Sequence, residues 1–196
     1  MKMEIKPIAY IHTEFTEKFG IPRQSGLAKK LCGRIVFEKE YRNPDALRGL
    51  EGFSHLWLIW EFSANRRPEG EWQPTVRPPR LGGNAHMGVF ATRSPFRPNP
   101  LGLSCVKISG IDLDTPDGPV ILVTGADLMD GTPIFDIKPY LPFADSIPDA
   151  TDGFAGKAIR EKLTVDCPDE FRRLIPAEKL DALVAVLADD PRPTYI

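Results

Sequence analysis

The chain has 196 residues, of which 42% are hydrophobic and 27% charged, and its formal net charge at pH 7 is −2. Its length suits one domain with a sizeable core, and its near-neutral charge excludes nucleic-acid binding through bulk basicity. No apolar run approaches the roughly 18 residues of a membrane span, and residues 1–10 lack a signal-peptide core. The cysteines Cys32, Cys105 and Cys167 fit no metal-ligand spacing, so we expect free thiols in a cytoplasmic protein.

Short apolar segments separated by turn residues predict a mainly β structure. The expected strands are residues 5–11, 33–37, 53–62, 87–92, 103–111, 120–125 and 134–137. Residues 115–118 and 130–133 combine proline, aspartate and glycine, a composition typical of tight turns. Because little helix separates these roughly seven strands, we expect a closed or strongly curved sheet. The segment 53–62 is nearly continuously apolar, which predicts a buried central strand.

Helical signals are few before residue 150. A short helix is predicted over residues 43–49, with Asn43 as its N-cap, Pro44 as its first residue and Gly49 at its end. Residues 149–156 are small and polar and indicate a linker. A helix begins at Pro176, and its predicted apolar face consists of Leu180, Leu183, Val184 and Leu187. We therefore predict a domain over residues 1–150 and an appendage over 151–196 with a linker, a helix and a DPRPTY tail.

Residues 77–102 are the most informative segment of the chain. They contain four arginines, many prolines and glycines and no acidic residue. Prolines and glycines exclude a regular helix, and the planar guanidinium group of arginine matches carboxylate and phosphate oxygens. The segment predicts a rigid site for an anionic ligand, although solvated surface arginines remain an alternative.

A second segment, residues 125–140, carries acidic and basic side chains at a strand end. Asp127 and Asp130 flank the turn, and Asp136, Lys138 and Tyr140 alternate on one face of an extended segment. This pattern is compatible with a hydrogen-bonded ligand site or with a structural salt bridge. The chain has no GxGxxG, Walker, HExxH or GxSxG motif, and its three histidines are widely separated, so metal chemistry has little support.

Four long motifs resemble the YaeB/TrmO family, the tRNA methyltransferases that modify N6-threonylcarbamoyladenosine at position 37. They are FGIPRQSGLA, RGLEGFSHLW, RPPRLGGNAHMGVFATRSPFRPNPLGLS and DLMDGTPIFDIKPYLPFADSIPDA. The resemblance implies a single-sheeted, non-Rossmann β-barrel that binds S-adenosyl-L-methionine and forms a homodimer without a metal. The implied reaction moves a methyl group to N6 of the modified adenosine in the anticodon loop of threonine tRNA.

The resemblance also implies which residues contact the cofactor. These are Thr13, Glu14, Phe15, Glu51, Gly52, Gly83, Arg93, Asp127, Leu128, Met129, Asp130 and Gly131. Many bacterial members continue beyond the DPRPTY motif, so this sequence is either a short member or a piece of a longer one. A shortened chain would affect tRNA affinity more than cofactor binding.

The implied reaction needs a base, because the lone pair of the urea-like N6 is delocalised. The candidate bases are Asp127, Asp130, Tyr140 and His55. The threonyl carboxylate of the substrate needs a cation. The predicted substrate contacts are Arg93, Arg97, Asn99 and Lys138.

Three other classes of function stay open at this point. The first is a non-catalytic barrel that binds RNA or a nucleotide. The second is a scaffold whose arginines grip a protein carboxylate, and the third is a metal-dependent hydrolase. Binding of S-adenosylmethionine distinguishes the methyltransferase from all three.

Overall fold

Six antiparallel strands close into a barrel with the order β1-β2-β7-β6-β3-β8. The computed structural model describes residues 4–65, 68, 71–81, 84–156, 162–190 and 192. The barrel strands are β1 (Ala9–Thr13), β2 (Cys32–Phe37), β3 (His55–Glu61), β6 (Leu101–Asp112), β7 (Val120–Thr124) and β8 (Thr132–Pro139). A separate two-stranded sheet pairs β4 (Thr75–Val76) with β5 (Met87–Gly88). The predicted single-sheeted, non-Rossmann barrel is confirmed.

The barrel core is built from alternate residues of each strand. In β3, Leu56, Leu58 and Trp60 are buried while the residues between them are half-buried. Since successive side chains of a strand point to opposite faces, one face of β3 fills the barrel and the other lies outside. The expected buried central strand is central, since β3 has a neighbour on each edge, but only one of its faces is buried and the other is half-buried.

The barrel has six strands where the sequence suggested about seven. The expected strand over residues 87–92 is limited to Met87–Gly88 and continues as a 3₁₀ helix over Val89–Ala91. The side-chain hydroxyl of Thr92 donates to the carbonyl of Val89 at 2.8 Å, and the N–H of Thr92 donates to the same carbonyl at 3.1 Å. These local bonds satisfy the backbone without a partner strand.

Short helices occupy the connections. The 3₁₀ helices are Lys39–Tyr41, Pro44–Leu47, Leu50–Gly52, Ser63–Asn65, Pro79–Leu81 and Val89–Ala91. The α-helices are α1 (Pro142–Asp145), α2 (Asp169–Arg172) and α3 (Ala177–Ala188). The expected cap of residues 43–49 is present, since the Asn43 side chain accepts a hydrogen bond from the N–H of Asp45 at 3.0 Å. None of the helices among the described residues combines the length and apolarity that crossing a bilayer requires.

Helix α3 packs through a different face from the one predicted. Ala182 and Val186 are buried against Ala28 and Leu31, whereas Leu183 and Leu187 are 39% and 41% exposed. Small side chains on the packed face allow the helix to approach the segment that follows β1. The division at residue 150 stays a prediction.

The segment over residues 14–31 closes one side of the barrel and positions the site. The N–H of Gly26 donates to Gly125 and the N–H of Gly125 donates to Leu31, each at 2.8 Å. The N–H of Cys105 donates to the Ser25 hydroxyl at 3.1 Å. Residues 101–106 of β6 have no partner in β7, so the 14–31 segment covers that part of the strand.

Candidate active site

A cavity of about 490 Å³ lies where β3 ends and β6 begins. Its walls come from the 14–31 segment, the end of β3 with the turn after it, the loop before β6 and the turn between β7 and β8. The lining residues are Lys18, 21–24, 60–65, Thr92, Arg93, Pro95, Arg97, 101–103, Asp127, Met129 and Thr132. The cavity therefore joins both segments that the sequence singled out.

The floor of the cavity holds a chain of three polar side chains. The indole Nε1–H of Trp60 donates to the hydroxyl of Ser104 at 3.0 Å, and that hydroxyl donates to Oδ1 of Asp127 at 2.6 Å. Ser104 is 1% exposed and Trp60 is 7% exposed. A chain of satisfied hydrogen bonds in a buried setting holds each member in one orientation.

Burial is the main reason that the pKa of Asp127 lies above its ordinary value. Four interactions oppose this shift: the hydrogen bonds from Ser104, from the backbone of Ser25 and from Asp127's own backbone, and the positive charge of Arg93. Because desolvation outweighs them, the carboxyl group is poised to take up a proton more readily than a solvated aspartate. This is the electrostatic property expected of a general base.

The two arginines of the loop before β6 have different surroundings. Arg93 is exposed and its guanidinium donates to the side-chain carbonyl of Gln24. Arg97 is half-buried, and its Nη1 donates to the carbonyls of Thr92 at 3.0 Å and Ser94 at 3.3 Å. Arg97 thus braces the loop, whereas Arg93 reaches across the mouth of the cavity.

The carboxylate of Asp130 is occupied by the end of β1. It accepts a hydrogen bond from the N–H of Thr13 at 3.1 Å and lies 3.2 Å from Nδ1 of His12. The hydroxyl of Thr13 donates to the carbonyl of Leu128 at 3.0 Å, and Gly131 holds the turn with φ 71°. Asp130 does not line the cavity wall, and its contacts fix the turn after β7 to the end of β1.

The other two predicted bases lie at the opposite end of the barrel. His55 begins β3 and Trp60 is five residues further along, a separation of about 16 Å in a strand. The ring of Tyr140 lies 6.2 Å from that of His55 between centroids, and Nδ1 of His55 is 2.8 Å from the Ser54 hydroxyl. In a single chain, His55 and Tyr140 do not meet the cavity, and their catalytic role stays a prediction.

Several predicted contacts are also away from the cavity wall. Lys138 forms an ion pair with Asp136 at 2.9 Å, which matches the structural salt bridge left open above. Asn99 is exposed and its carbonyl accepts from the N–H of Leu101 at 2.7 Å. The Leu50–Gly52 turn, which contains Glu51 and Gly52, precedes β3 at the His55 end.

The remaining predicted cofactor contacts surround the turn at Asp127. Glu14 pairs with Lys179 of α3 at 2.8 Å, and Phe15 packs against the cluster under α3. Leu128 is buried in the barrel core, while Met129 lines the cavity. Gly83 lies outside the described residues.

Sequence reasoning missed Trp60, Ser104 and Gln24. One signal for Ser104 was present: in β6, Gly102, Ser104 and Val106 alternate with outward residues, so a hydroxyl occupies an inward position. Buried hydroxyls are hydrogen-bonded in folded proteins, so this position required a polar partner inside the barrel. Nothing in the sequence named Trp60 and Asp127 as its partners.

No group of three or more histidine, cysteine, aspartate or glutamate side chains in the described part of the chain is arranged to hold a metal ion. The charged groups that line the cavity and fit the predicted roles are the half-buried carboxylate of Asp127 and the guanidinium groups of Arg93 and Arg97. Together these groups can accept a proton and bind an anionic ligand.

A family model and several known proteins match most of this chain. A family model described as "tRNA-methyltransferase O N-terminal domain" matches residues 10–146. The "tRNA (adenine(37)-N6)-methyltransferase" of Escherichia coli K12 is 46% identical over 198 residues, which cover 98% of this chain and 83% of that protein. The Pseudomonas aeruginosa protein named "Putative S-adenosylmethionine-dependent methyltransferase RcsF" is 41% identical over 202 residues, 100% of this chain and 84% of that protein.

A solved structure has the same architecture. The crystal structure of TrmO from Pseudomonas aeruginosa superposes with a TM-score of 0.76 at 34% sequence identity. The match covers 98% of this chain and 84% of that one.

Proposed function

Because the chain belongs to the tRNA-methyltransferase O family, it is a tRNA methyltransferase, and we propose that it methylates N6 of N6-threonylcarbamoyladenosine at position 37 of threonine tRNA. Membership confirms the resemblance seen in the motifs. The proposal names S-adenosyl-L-methionine as the methyl donor, in keeping with the name of the Pseudomonas aeruginosa relative. The main supporting observation is the half-buried carboxylate of Asp127, whose pKa is raised by desolvation, in a cavity lined by arginines.

The cavity suits S-adenosylmethionine in size and in chemistry. Its volume falls within the range of about 300–1,000 Å³ that is typical of small-molecule sites. Trp60, Phe62 and Met129 provide apolar surface, and Arg93 is placed to bind a carboxylate. When bound, the cofactor supplies a methyl group on a sulfonium, which is electrophilic without a metal.

Asp127 is the candidate base that the geometry favours. It is the member of the predicted set of four whose side chain lines the cavity, and its pKa is raised by burial. Catalysis by a base is efficient when its pKa approaches the working pH. We propose that Asp127 takes the proton of the substrate N6–H.

Arg93 and Arg97 are the predicted substrate contacts that line the cavity. A threonylcarbamoyl group ends in a carboxylate, and arginine binds a carboxylate through two parallel hydrogen bonds. The guanidinium of Arg97 is held by two carbonyls of its own loop and that of Arg93 by Gln24, while Pro95 stiffens the loop between them. This arrangement supports a preference for the modified over the unmodified adenosine.

We further propose a homodimer with the cavity near its interface. Leu101 and Leu103 on the outer face of β6 are 37% and 54% exposed, and both line the cavity mouth. Ile59 lies opposite Leu103 on β3, and Trp57 extends the same face. A second copy that covers this face would bury apolar surface beside the site.

The experiment that tests the function uses labelled S-adenosylmethionine with tRNA that carries or lacks the threonylcarbamoyl group. We expect label on N6 in the modified tRNA only. Equal labelling of both tRNAs would contradict the threonylcarbamoyl specificity. Binding of tRNA without label transfer would favour the non-catalytic RNA-binding barrel, and titration calorimetry with S-adenosylmethionine gives an independent measure of cofactor binding.

A further inference from the structure

The proposed base is not an isolated carboxylate, since it ends a buried chain of hydrogen bonds from Trp60 through Ser104. We propose that Trp60 and Ser104 are positioning residues that determine which oxygen of Asp127 receives the substrate proton. The inference rests on the proposed function, because that function makes Asp127 the base.

The direction of the chain follows from the chemistry of its members. The indole of Trp60 carries one N–H and has no acceptor, so it can only donate. The oxygen of Ser104 therefore accepts from Trp60, and its single hydrogen is directed at Oδ1 of Asp127. No choice of tautomer or amide orientation enters this assignment.

The fixed direction restricts where Asp127 can carry a proton. A hydrogen on Oδ1 would weaken the hydrogen bond from Ser104, because a protonated carboxyl oxygen is a poorer acceptor than a carboxylate oxygen. At 1% exposure, a hydroxyl without an acceptor is unfavourable. As N6 forms its bond to the methyl carbon, the bond from that carbon to the donor sulfur breaks and the sulfur keeps the electron pair. The proton of the substrate N6–H is therefore assigned to Oδ2, which turns the carboxylate into a neutral acid. This proton leaves to water after the product departs.

The barrel holds the chain in this geometry. Leu58 of β3 lies opposite Ser104 of β6, and Trp60 lies opposite Gly102, two residues away on the same face. The indole crosses over Gly102 to reach Ser104, and the ring of Phe62 packs against it at a centroid distance of 4.4 Å. These strand contacts orient Trp60 before any ligand enters the cavity.

Ser104 also influences how readily Asp127 is protonated. Its hydrogen bond favours the charged carboxylate and so opposes the upward effect of burial on the pKa. The charged groups that share the cavity with Asp127 are Lys18, Arg23, Glu61, Arg93 and Arg97. On the adjoining turn, Asp130 is engaged with His12. Replacing Ser104 leaves all these charges in place, so a change in pH dependence reports on the hydrogen bond.

The test compares Ser104→Ala, Trp60→Phe and the conservative Ser104→Thr in the full chain. Ser109→Ala serves as the matched control, since Ser109 is an exposed serine on the same strand. Two readouts are measured: kcat/KM for methyl transfer to modified tRNA as a function of pH, and the carboxyl ¹³C titration of Asp127 without substrate.

We expect Ser104→Ala to lose about tenfold in kcat/KM at the acidic end of the profile, as a lost hydrogen bond to a charged group implies, and to recover at higher pH. Its Asp127 titration should move to higher pH. Trp60→Phe should shift both readouts in the same direction by less, Ser104→Thr should restore the wild-type profile, and Ser109→Ala should not differ from wild type.

A loss in Ser104→Ala that is equal at every pH, with an unchanged titration of Asp127, would overturn the proposal. If Ser104→Ala does not fold, Trp60→Phe takes its place. A loss of kcat/KM in Trp60→Phe that is equal at every pH, with an unchanged titration of Asp127, would then overturn the proposal. Failure of the proposed function can be told apart from failure of this inference. In the first case the wild-type chain would transfer no methyl group, while the titration of Asp127 would still report on its hydrogen bond with Ser104.

Discussion

Gly102 and Trp60 are packed so closely that a β-carbon at position 102 would lie 2.2 Å from Cε2 of the indole. The next two indole atoms would be 2.4 Å and 2.6 Å away. A side chain at position 102 would therefore push the indole away from Ser104. The absence of a side chain at residue 102 is therefore a condition for the hydrogen-bond chain under the cavity.

Gly102→Ala is expected to displace Trp60 and destabilise the barrel by about 1–3 kcal/mol, the usual cost of overpacking. In a chain of this size, that cost lowers the melting temperature by roughly 2–4 °C per kcal/mol. Calorimetry checks the value. Gly110→Ala on the same strand is the control, since its β-carbon would meet Leu122 at an ordinary 3.5 Å. Equal melting temperatures for both variants would show that the contact carries no strain.

Asp127→Asn is expected to abolish most activity while it stabilises the fold at neutral pH. Burial raises the pKa of Asp127 in the folded protein, so the charged carboxylate costs stability above that pKa. The asparagine removes this cost, and its advantage shrinks as the pH falls through the folded pKa and wild-type Asp127 becomes neutral.

Methyl transfer by Asp127→Asn should fall by about 10²–10⁴, the typical contribution of a general base. Thermal melts at several pH values and single-turnover rates measure the two effects. A variant that melts below wild type at every pH, or transfers methyl at the normal rate, would refute the assigned role.

Arg93→Ala is expected to lower kcat/KM by about ten- to a hundredfold at unchanged melting temperature, because it loses a charge-assisted contact of about 1.5–3 kcal/mol. Arg93 is exposed, so the fold does not depend on it. Lysine should restore little, since it lacks the bidentate geometry. Arg48→Ala is the control, because Arg48 pairs with Asp45 on the surface outside the cavity wall.

Arg97→Ala should lower both the rate and the melting temperature. Its guanidinium donates to two carbonyls of its own loop, so its loss frees the backbone as well as removing a charge. Steady-state kinetics and melting curves distinguish the two variants, because only Arg97→Ala is expected to lower the melting temperature. If the folded Arg93 and Arg97 variants both kept wild-type rates, the loop would be structural and the site assignment incorrect.

Chelating agents are expected to leave methyl transfer intact, because the sulfonium donor needs no Lewis acid. The measurement is activity after dialysis against a chelator. Activity that disappears on chelation and returns with zinc would contradict the mechanism.

The chain is expected to be a dimer at micromolar concentration, as measured by light scattering. Leu103→Asp should shift the mass toward that of the monomer, because it places a charge on the exposed apolar face of β6. Leu122→Asp, at a residue that is 39% exposed on β7, is the control at another apolar surface position. A monomeric wild-type mass would count directly against the interface.

Much of the barrel was predictable because strands and turns leave local signals. The segments around Ile35, Leu58 and Ile121 are apolar, and the strands form close to the expected positions. The missed features depend on packing. Residues 89–91 are apolar but form a 3₁₀ turn, and α3 buries Ala182 and Val186 against the 14–31 segment in place of its leucines.

The sequence by itself determined the class of fold, the family and the arginine-rich loop, since periodicity, turn residues and long motifs are properties of neighbouring residues. It also singled out Asp127, but as one of four equivalent bases. Only the tertiary structure distinguishes them, because it places Asp127 at the cavity wall and the other three away from it. Antiparallel register and barrel closure bring Ser104 to Asp127, 23 residues away, and Trp60 to Ser104 across 44 residues, while they leave His55 at the far end of the same strand.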